Sequence, residues 1–454
     1  MQVTETLAEG LKREFRVVVP ATDLDAKVNE RLVEIKDKVR INGFRPGKVP
    51  VAHLKRLYGK SAMAEAIDAA VREATASIVA DHGLKLAMEP KITLPTAENE
   101  VTELISGKVD LAYSVAMEIL PKIELADFKS IELEKPVAEV TDAEVAGALD
   151  RIAEANRPFA PRAEGETAQS GDKLTVSFTG MIDGAPFEGG SGEDVAVVIG
   201  SGGFIPGFEE QLIGIAAGES RTVKSTFPAS YQAAALAGKD AVFEVAAKSI
   251  EAPGPVATGD ELAKSLGMES LQKLQEAVRE RVAREHAAAT RQKIKRALLD
   301  ALDARHKFDL PPTLVEEEFA SVWRTVLGDL ESQGRSFGDE GTTEEAAKAE
   351  YRGIAERRVR LGLVIAEIGA NNDIKVTDEE MNRALVEHAR RYPGQEQQIW
   401  DFFRKTPAAA ASLRAPIYEE KVVDFLLELV KVTEKKVSIE ELTGEDEEET
   451  KVPA

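Results

Sequence analysis

Residues 36–60 concentrate positive charge. They hold Lys36, Lys38, Arg40, Arg45, Lys48, Lys55, Arg56 and Lys60 against the single acid Asp37, in a chain whose formal charge is −22. A local reversal of this size suits docking on a polyanion, because neutralising phosphates drives such binding while net acidity opposes it elsewhere. At its centre, residues 42–50 read Asn-Gly-Phe-Arg-Pro-Gly-Lys-Val-Pro. The glycines and prolines force a turn and leave an aromatic and two cations at its tip. A nucleotide-binding loop is excluded: only three residues separate Gly43 from Gly47, and Val49 stands where a hydroxyl is needed. The residues alone leave two readings, an exposed turn between helices or a docking loop.

A second set is aromatic. Phe178, Phe187, Phe204, Phe208 and Phe243 fall in a glycine-rich stretch, where they either fill a small β-core or line an apolar pocket. Other chemistry fails on spacing. Gly200-Ser-Gly-Gly203 meets Ile205 where a dinucleotide fingerprint wants its last glycine. Glu193 breaks the nucleophile-elbow pattern around Ser191. The histidines at 53, 82, 286, 306 and 388 are scattered and cysteine is absent, so no metal site, cofactor or disulfide is expected.

The elements that must position these residues follow from pattern. A length of 454 residues implies roughly three domains, and 43% hydrophobic content is enough for ordinary cores. Residues 12–20 predict a strand, and the spacing of Leu24, Val28, Leu32, Ile35 and Val39 predicts a helix. Beyond the loop, a short helix over 51–58 stopped by Gly59, a longer one capped by Ser61, and strands at 91–94 and 108–120 complete an α+β domain over 1–121. Residues 122–157 read as a connector, charge-alternating and then helical from Thr141, whose pairing with Glu144 is a capping box. Over 158–251, strands at 173–179, 195–199, 221–227 and 241–250, with an Asp183-Gly184 hairpin turn, make a compact β-rich module. Residues 252–435 are helical, with one long helix over 270–308, three more at 313–331, 343–370 and 377–391, and a last over 395–432 broken near 407–416. Seven acids and no base over 440–449 predict a disordered tail over 436–454. Residues 1–10 lack a basic region followed by an apolar run, and no apolar run approaches the ~20 residues needed to span a bilayer, so a cytoplasmic protein without membrane contact is expected.

Gly43-Phe44-Arg45-x-Gly47-Lys48-x-Pro50, between two helices, resembles the ribosome-docking signature of the trigger factors, bacterial chaperones of nascent chains. Phe178-Thr-Gly, Asp183-Gly-x-x-Phe187-Glu188, Phe204-Ile205-Pro-Gly-Phe208-Glu209 and Phe227-Pro228 resemble an FKBP-type prolyl isomerase. The isomerase resemblance implies a pocket of Phe178, Phe187, Glu188, Phe204, Ile205, Phe208, Tyr231 and Phe243. Phe178 stands for the usual tyrosine, Phe208 for the tryptophan and Glu188 for the aspartate.

The family resemblance implies a multidomain α+β protein. Its parts would be an N-terminal α+β ribosome-docking domain, an inserted FKBP-like β-rich domain, and an all-α C-terminal substrate-binding domain with extended helical arms. The implied function is a ribosome-associated chaperone with prolyl isomerase activity. Its partners would be the ribosome near the tunnel exit (a ribosomal protein and ribosomal RNA), nascent and unfolded polypeptides, and a second copy of itself in a weak pair off the ribosome. The alternative is a free-standing prolyl isomerase with scaffold domains.

Overall fold

The structure, a computed structural model, describes residues 1–36, 44, 49–163, 165–228, 231, 233, 236–339 and 341–444. It divides into two compact units. Met1–Asp127, Asp300–Ser321 and Tyr351–Asp424 form the first; Phe128–Leu299, Val322–Glu350 and Phe425–Ala454 form the second.

The first unit begins with β1 (Gln2–Glu9), β2 (Lys12–Val19), α1 (Ala21–Lys36), α2 (Val51–Asp81), β3 (Lys91–Thr93), α3 (Glu98–Ile105) and β4 (Leu111–Glu118). The strands form an antiparallel sheet of order β1-β2-β4-β3. Alternation puts Phe15, Val17 and Val19 of β2 and Leu111, Tyr113, Val115 and Met117 of β4 into one core with Leu24, Val28 and Leu32 of α1. Each buried aliphatic contributes roughly 1.5–3 kcal/mol. Two elements depart from expectation. Strand β1 shows no apolar alternation and is largely exposed, held by its ladder to β2 across the Gly10 turn, where φ is +52°. The helix expected to stop at Gly59 instead runs unbroken from Val51 to Asp81. A helical glycine costs about 1 kcal/mol against alanine, and burial of Leu54, Met63, Ile67, Val71 and Ile78 on either side of it outweighs that.

The second unit opens with β5 (Glu132–Val137) and α4 (Asp142–Ala155). Thr141 caps α4: its hydroxyl accepts from Glu144 N–H at 3.2 Å while the Glu144 carboxylate accepts from Thr141 N–H at 2.8 Å. Next come β6 (Phe159–Pro161), β7 (Lys173–Ile182), β8 (Ala185–Val198), β9 (Ser220–Thr226) and β10 (Asp240–Pro253). They form one antiparallel sheet of order β6-β10-β7-β8, with β9 also on β10. The β7–β8 hairpin turns at Asp183 and Gly184, both at positive φ, as an Asp-Gly turn requires.

The helices are α5 (Gly259–Ser265), α6 (Leu271–Arg305), α7 (Pro312–Gln333), α8 (Glu344–Asn371), α9 (Asp378–Ala389), α10 (Glu396–Lys405) and α11 (Pro407–Leu429), followed by β11 (Lys431–Lys436) and α12 (Ile439–Thr443). The break expected near 407–416 falls at Thr406, and Pro416 lies inside α11. Strand β11 was not anticipated. It pairs in parallel with β5, and Lys431–Glu132, Lys435–Glu134 and Lys135–Glu434 ion pairs of 2.9–3.0 Å run across the two strands. Residues 436–444 of the expected tail over 436–454 are among the described residues. Ser438 caps α12 by accepting from Glu441 N–H, and Leu442 is buried; residues 445–454 lie outside the described residues.

A cavity of about 560 Å³ sits beside β5, β11 and α6, lined by Val137, Val140, Ile294, Leu427, Val432 and the small Ala283 and Ala287. Those alanines are part of the polar, alanine-rich middle of the long helix. His286 Nδ1 lies 3.3 Å from the Ala138 carbonyl, and the Thr290 hydroxyl donates to Pro136 O at 2.8 Å, so this face of α6 holds the end of β5.

Candidate functional site

The β-rich module assembles an aromatic cavity of about 590 Å³. Strand β7 contributes Phe178, β8 Phe187 and β10 Phe243, and the segment after β8 contributes Phe204, Ile205 and Phe208. Tyr231 also lines the cavity. Phe208 and Phe243, at 1% and 5% exposure, form its floor, and half-buried Phe178, Phe187, Phe204 and Ile205 form its walls. Tyr231, 37% exposed, stands at the rim. The sequence-predicted set is thus brought together except for Glu188, which lies on β8 and whose side chain is outside what the structure describes. Sequence reasoning left Phe227 out of the set. It lies 4.7 Å from the Tyr231 ring and 5.9 Å from Phe187, at the position where alternation along β9 turns a side chain inward.

The rings interlock mostly edge to face. Phe208 meets Phe243 at 5.3 Å and 88°, Phe178 meets Phe243 at 6.1 Å and 72°, and Phe204 stacks on Phe208 at 5.1 Å and 14°. Such pairs contribute about 0.5–1.5 kcal/mol beyond area burial. Glycine makes the arrangement possible. A Cβ on Gly180 would come within 2.6 Å of Phe243, and one on Gly190 within 2.7 Å of Phe187. The cavity offers a ring-lined, largely apolar slot, with the described histidines elsewhere. His53 packs on Phe44, His82 on Phe15 and His388 on Phe403, while His286 bonds Glu144 at 3.0 Å and His306 accepts from Ala126 N–H at 3.1 Å.

Beside the cavity, Glu209 is 3% exposed. Burial alone would raise its carboxyl, but the N–H groups of Gly202 and Phe204, the Ser201 hydroxyl and the Gly200 N–H bring it below the ordinary glutamate value.

The basic turn is described in part. Phe44 is 38% exposed with its ring 5.2 Å from His53, and Pro50 is the N-cap of α2. Gly43, Arg45, Gly47 and Lys48 of the docking signature lie outside the described residues. One expectation needs adjusting: Lys55 of the basic stretch bonds Asp25 of α1 at 2.5 Å and holds that carboxyl below its ordinary value, so its charge is already matched within the fold.

No helix among the described residues is long and apolar enough to cross a membrane.

Comparison with known proteins gives a consistent assignment. Residues 1–152 match the family model "Bacterial trigger factor protein (TF)", residues 270–428 its C-terminal counterpart, and residues 164–248 the model for FKBP-type peptidyl-prolyl cis-trans isomerase. Proteins called trigger factor are similar along the whole length. That of Azorhizobium caulinodans is 65% identical over 99% of both chains, and that of Bradyrhizobium diazoefficiens 60% identical over 99% of both. A solved chain described as "Promiscuous Substrate Recognition in Folding and Assembly Activities of the Trigger Factor Chaperone" shares the fold, with a TM-score of 0.55 over 94% of this chain and 99% of that one at 19% identity. The aromatic cavity falls inside the matched isomerase span and the basic turn inside the matched N-terminal span; the chain belongs to the trigger factor family.

Proposed function

We propose that this protein is a ribosome-associated chaperone that binds nascent polypeptides, keeps them open at the tunnel exit, and isomerises their prolyl bonds in the aromatic cavity. The observation that carries the reading is one chain holding the docking signature, an FKBP-type module and the family's helical C-terminal region in the family's order. Arg45 and Lys48 supply cations for ribosomal RNA phosphates or the acidic side chains of a ribosomal protein. Phe44, next to Arg45 in the sequence, supplies an exposed apolar anchor. Pairing of two copies off the ribosome would cover the same turn, and the compartment is the cytoplasm.

Isomerisation needs no nucleophile and no electron carrier. The uncatalysed barrier of about 18–20 kcal/mol arises because the amide must lose its conjugation as it twists. In the planar ground state the peptide carbonyl keeps its charge separation and its water. In the twisted state that separation falls, so an apolar slot tolerates the transition state better than the ground state. Phe208 and Phe243 beneath and Phe178 and Phe204 beside the prolyl ring supply such a slot. The slot would hold the ring while the residue before proline rotates.

Co-sedimentation with ribosomes tests the docking. Replacing Phe44, Arg45 and Lys48 by alanine should remove binding, and wild-type binding should weaken as salt rises. Unchanged co-sedimentation of the triple variant would overturn the assignment of the turn.

A further inference from the structure

Residues 200–208 carry three of the pocket side chains, yet they belong to neither a strand nor a helix. Something other than a β-ladder must hold Phe204 and Ile205 against the cavity. The Glu209 carboxylate is placed to do so. Its Oε2 accepts from Gly200 N–H at 2.8 Å and Gly202 N–H at 3.1 Å, and its Oε1 accepts from Phe204 N–H at 3.1 Å and the Ser201 hydroxyl at 3.2 Å. Gly200 and Gly202 have φ of +88° and +71°, a backbone that turns alternate N–H groups inward to form an anion-holding concavity. The anion held there is the protein's own. The far end of the segment is fixed separately, where the Ser225 hydroxyl donates to Pro206 O at 2.5 Å.

Taking a carboxylate out of water is costly, and here four donors offset that cost. The merit of this carboxylate is geometric: two oxygens divided among four donors fix the loop at several points at once. We infer that Glu209 is a positioning residue of the isomerase, setting the height of Phe204 and Ile205 over the cavity floor. It does not touch the substrate; it acts through the Gly200–Phe204 amides. The inference rests on the cavity being the isomerase site.

The test uses the full chain. Glu209→Gln keeps the shape but leaves one acceptor oxygen and turns N–H donors toward the loop amides. The readouts are kcat/KM on a proline-containing peptide, the fraction folded by urea denaturation, and hydrogen exchange at the Gly200, Gly202 and Phe204 amides. We expect kcat/KM per folded molecule to fall about tenfold or more, the scale on which small misplacements act, with faster exchange at those three amides and unchanged suppression of aggregation. Wild-type kcat/KM per folded molecule, or a loss without faster exchange at those amides, overturns the inference. If Glu209→Gln does not fold, Ser201→Ala removes one donor to the carboxylate; a fall of about two- to threefold with faster exchange supports positioning, and unchanged kinetics overturn it. A wild-type protein inactive on every proline peptide would instead overturn the cavity reading itself.

Discussion

The two cavities of the second unit are nearly equal in volume, about 590 Å³ and 560 Å³, and differ in almost everything else. The aromatic one is walled by rings packed against glycine backbone and against one another. The one beside β5, β11 and α6 is walled by alanines and branched aliphatics, with a Lys135–Glu434 ion pair among its lining residues. A close-packed wall transmits any change in volume to its neighbours, whereas a wall of small side chains around open space accommodates it. The contrast separates a site built to impose one geometry from a space left by elements that meet without filling it.

Four substitutions sharpen or break that contrast. Phe208→Ala should have the largest effect, destabilising the module by about 3–5 kcal/mol as a buried ring is lost and abolishing acceleration of proline-limited refolding. Denaturant melts with a refolding assay read both. Wild-type acceleration would mean that the floor is packing alone. Gly190→Ala adds one carbon within 2.7 Å of Phe187 and should cost about 1–3 kcal/mol, with a lower kcat/KM. Ala287→Leu adds three carbons to the other cavity and should do the reverse, stabilising by about 0.5–2 kcal/mol as filled cavities do and leaving isomerisation untouched. A destabilised Ala287→Leu protein would erase the distinction between the two walls.

The smallest effect belongs to the first unit and sets a baseline away from both cavities. Lys421 bonds both Glu380 oxygens at 2.9 Å, and with the Thr377 N–H and hydroxyl it lowers the Glu380 carboxyl from 4.5 to about 2. A carboxyl depressed in the folded state stabilises above its unfolded value and loses that contribution as pH falls through its folded value. Glu380→Gln should therefore be less stable than wild type near neutral pH, with the gap closing between about pH 4.5 and pH 2. A gap constant over that range in thermal melts would show that the pair contributes nothing through charge.

How much was legible depends on how far apart the cooperating residues lie. The Thr141–Glu144 cap, the Asp183-Gly184 turn and the long helix α6 are local and could be read from a few neighbouring residues. Most of the pocket was legible because its members sit in short motifs that resemble a known isomerase. Phe227, cited in a motif but not placed in the pocket, shows the limit, since which face of β9 is inside depends on the sheet it joins. Gly59 misled because helix propensity is weak against the burial on either side of it. Strand β1 carries no apolar signal, and the partner of β5 lies 299 residues away, beyond any local pattern.

That last pairing also orders events during synthesis. The β-rich module is one continuous stretch whose strands find their partners within it, so its sheet needs no residue made later. Strand β5 is made before that module but completes its ladder only when Lys431–Lys436 arrives. At about 5–20 residues per second, β5 waits on the order of 15–60 s for its mate. For most of its own translation, the chain would be an unfinished client with one edge open.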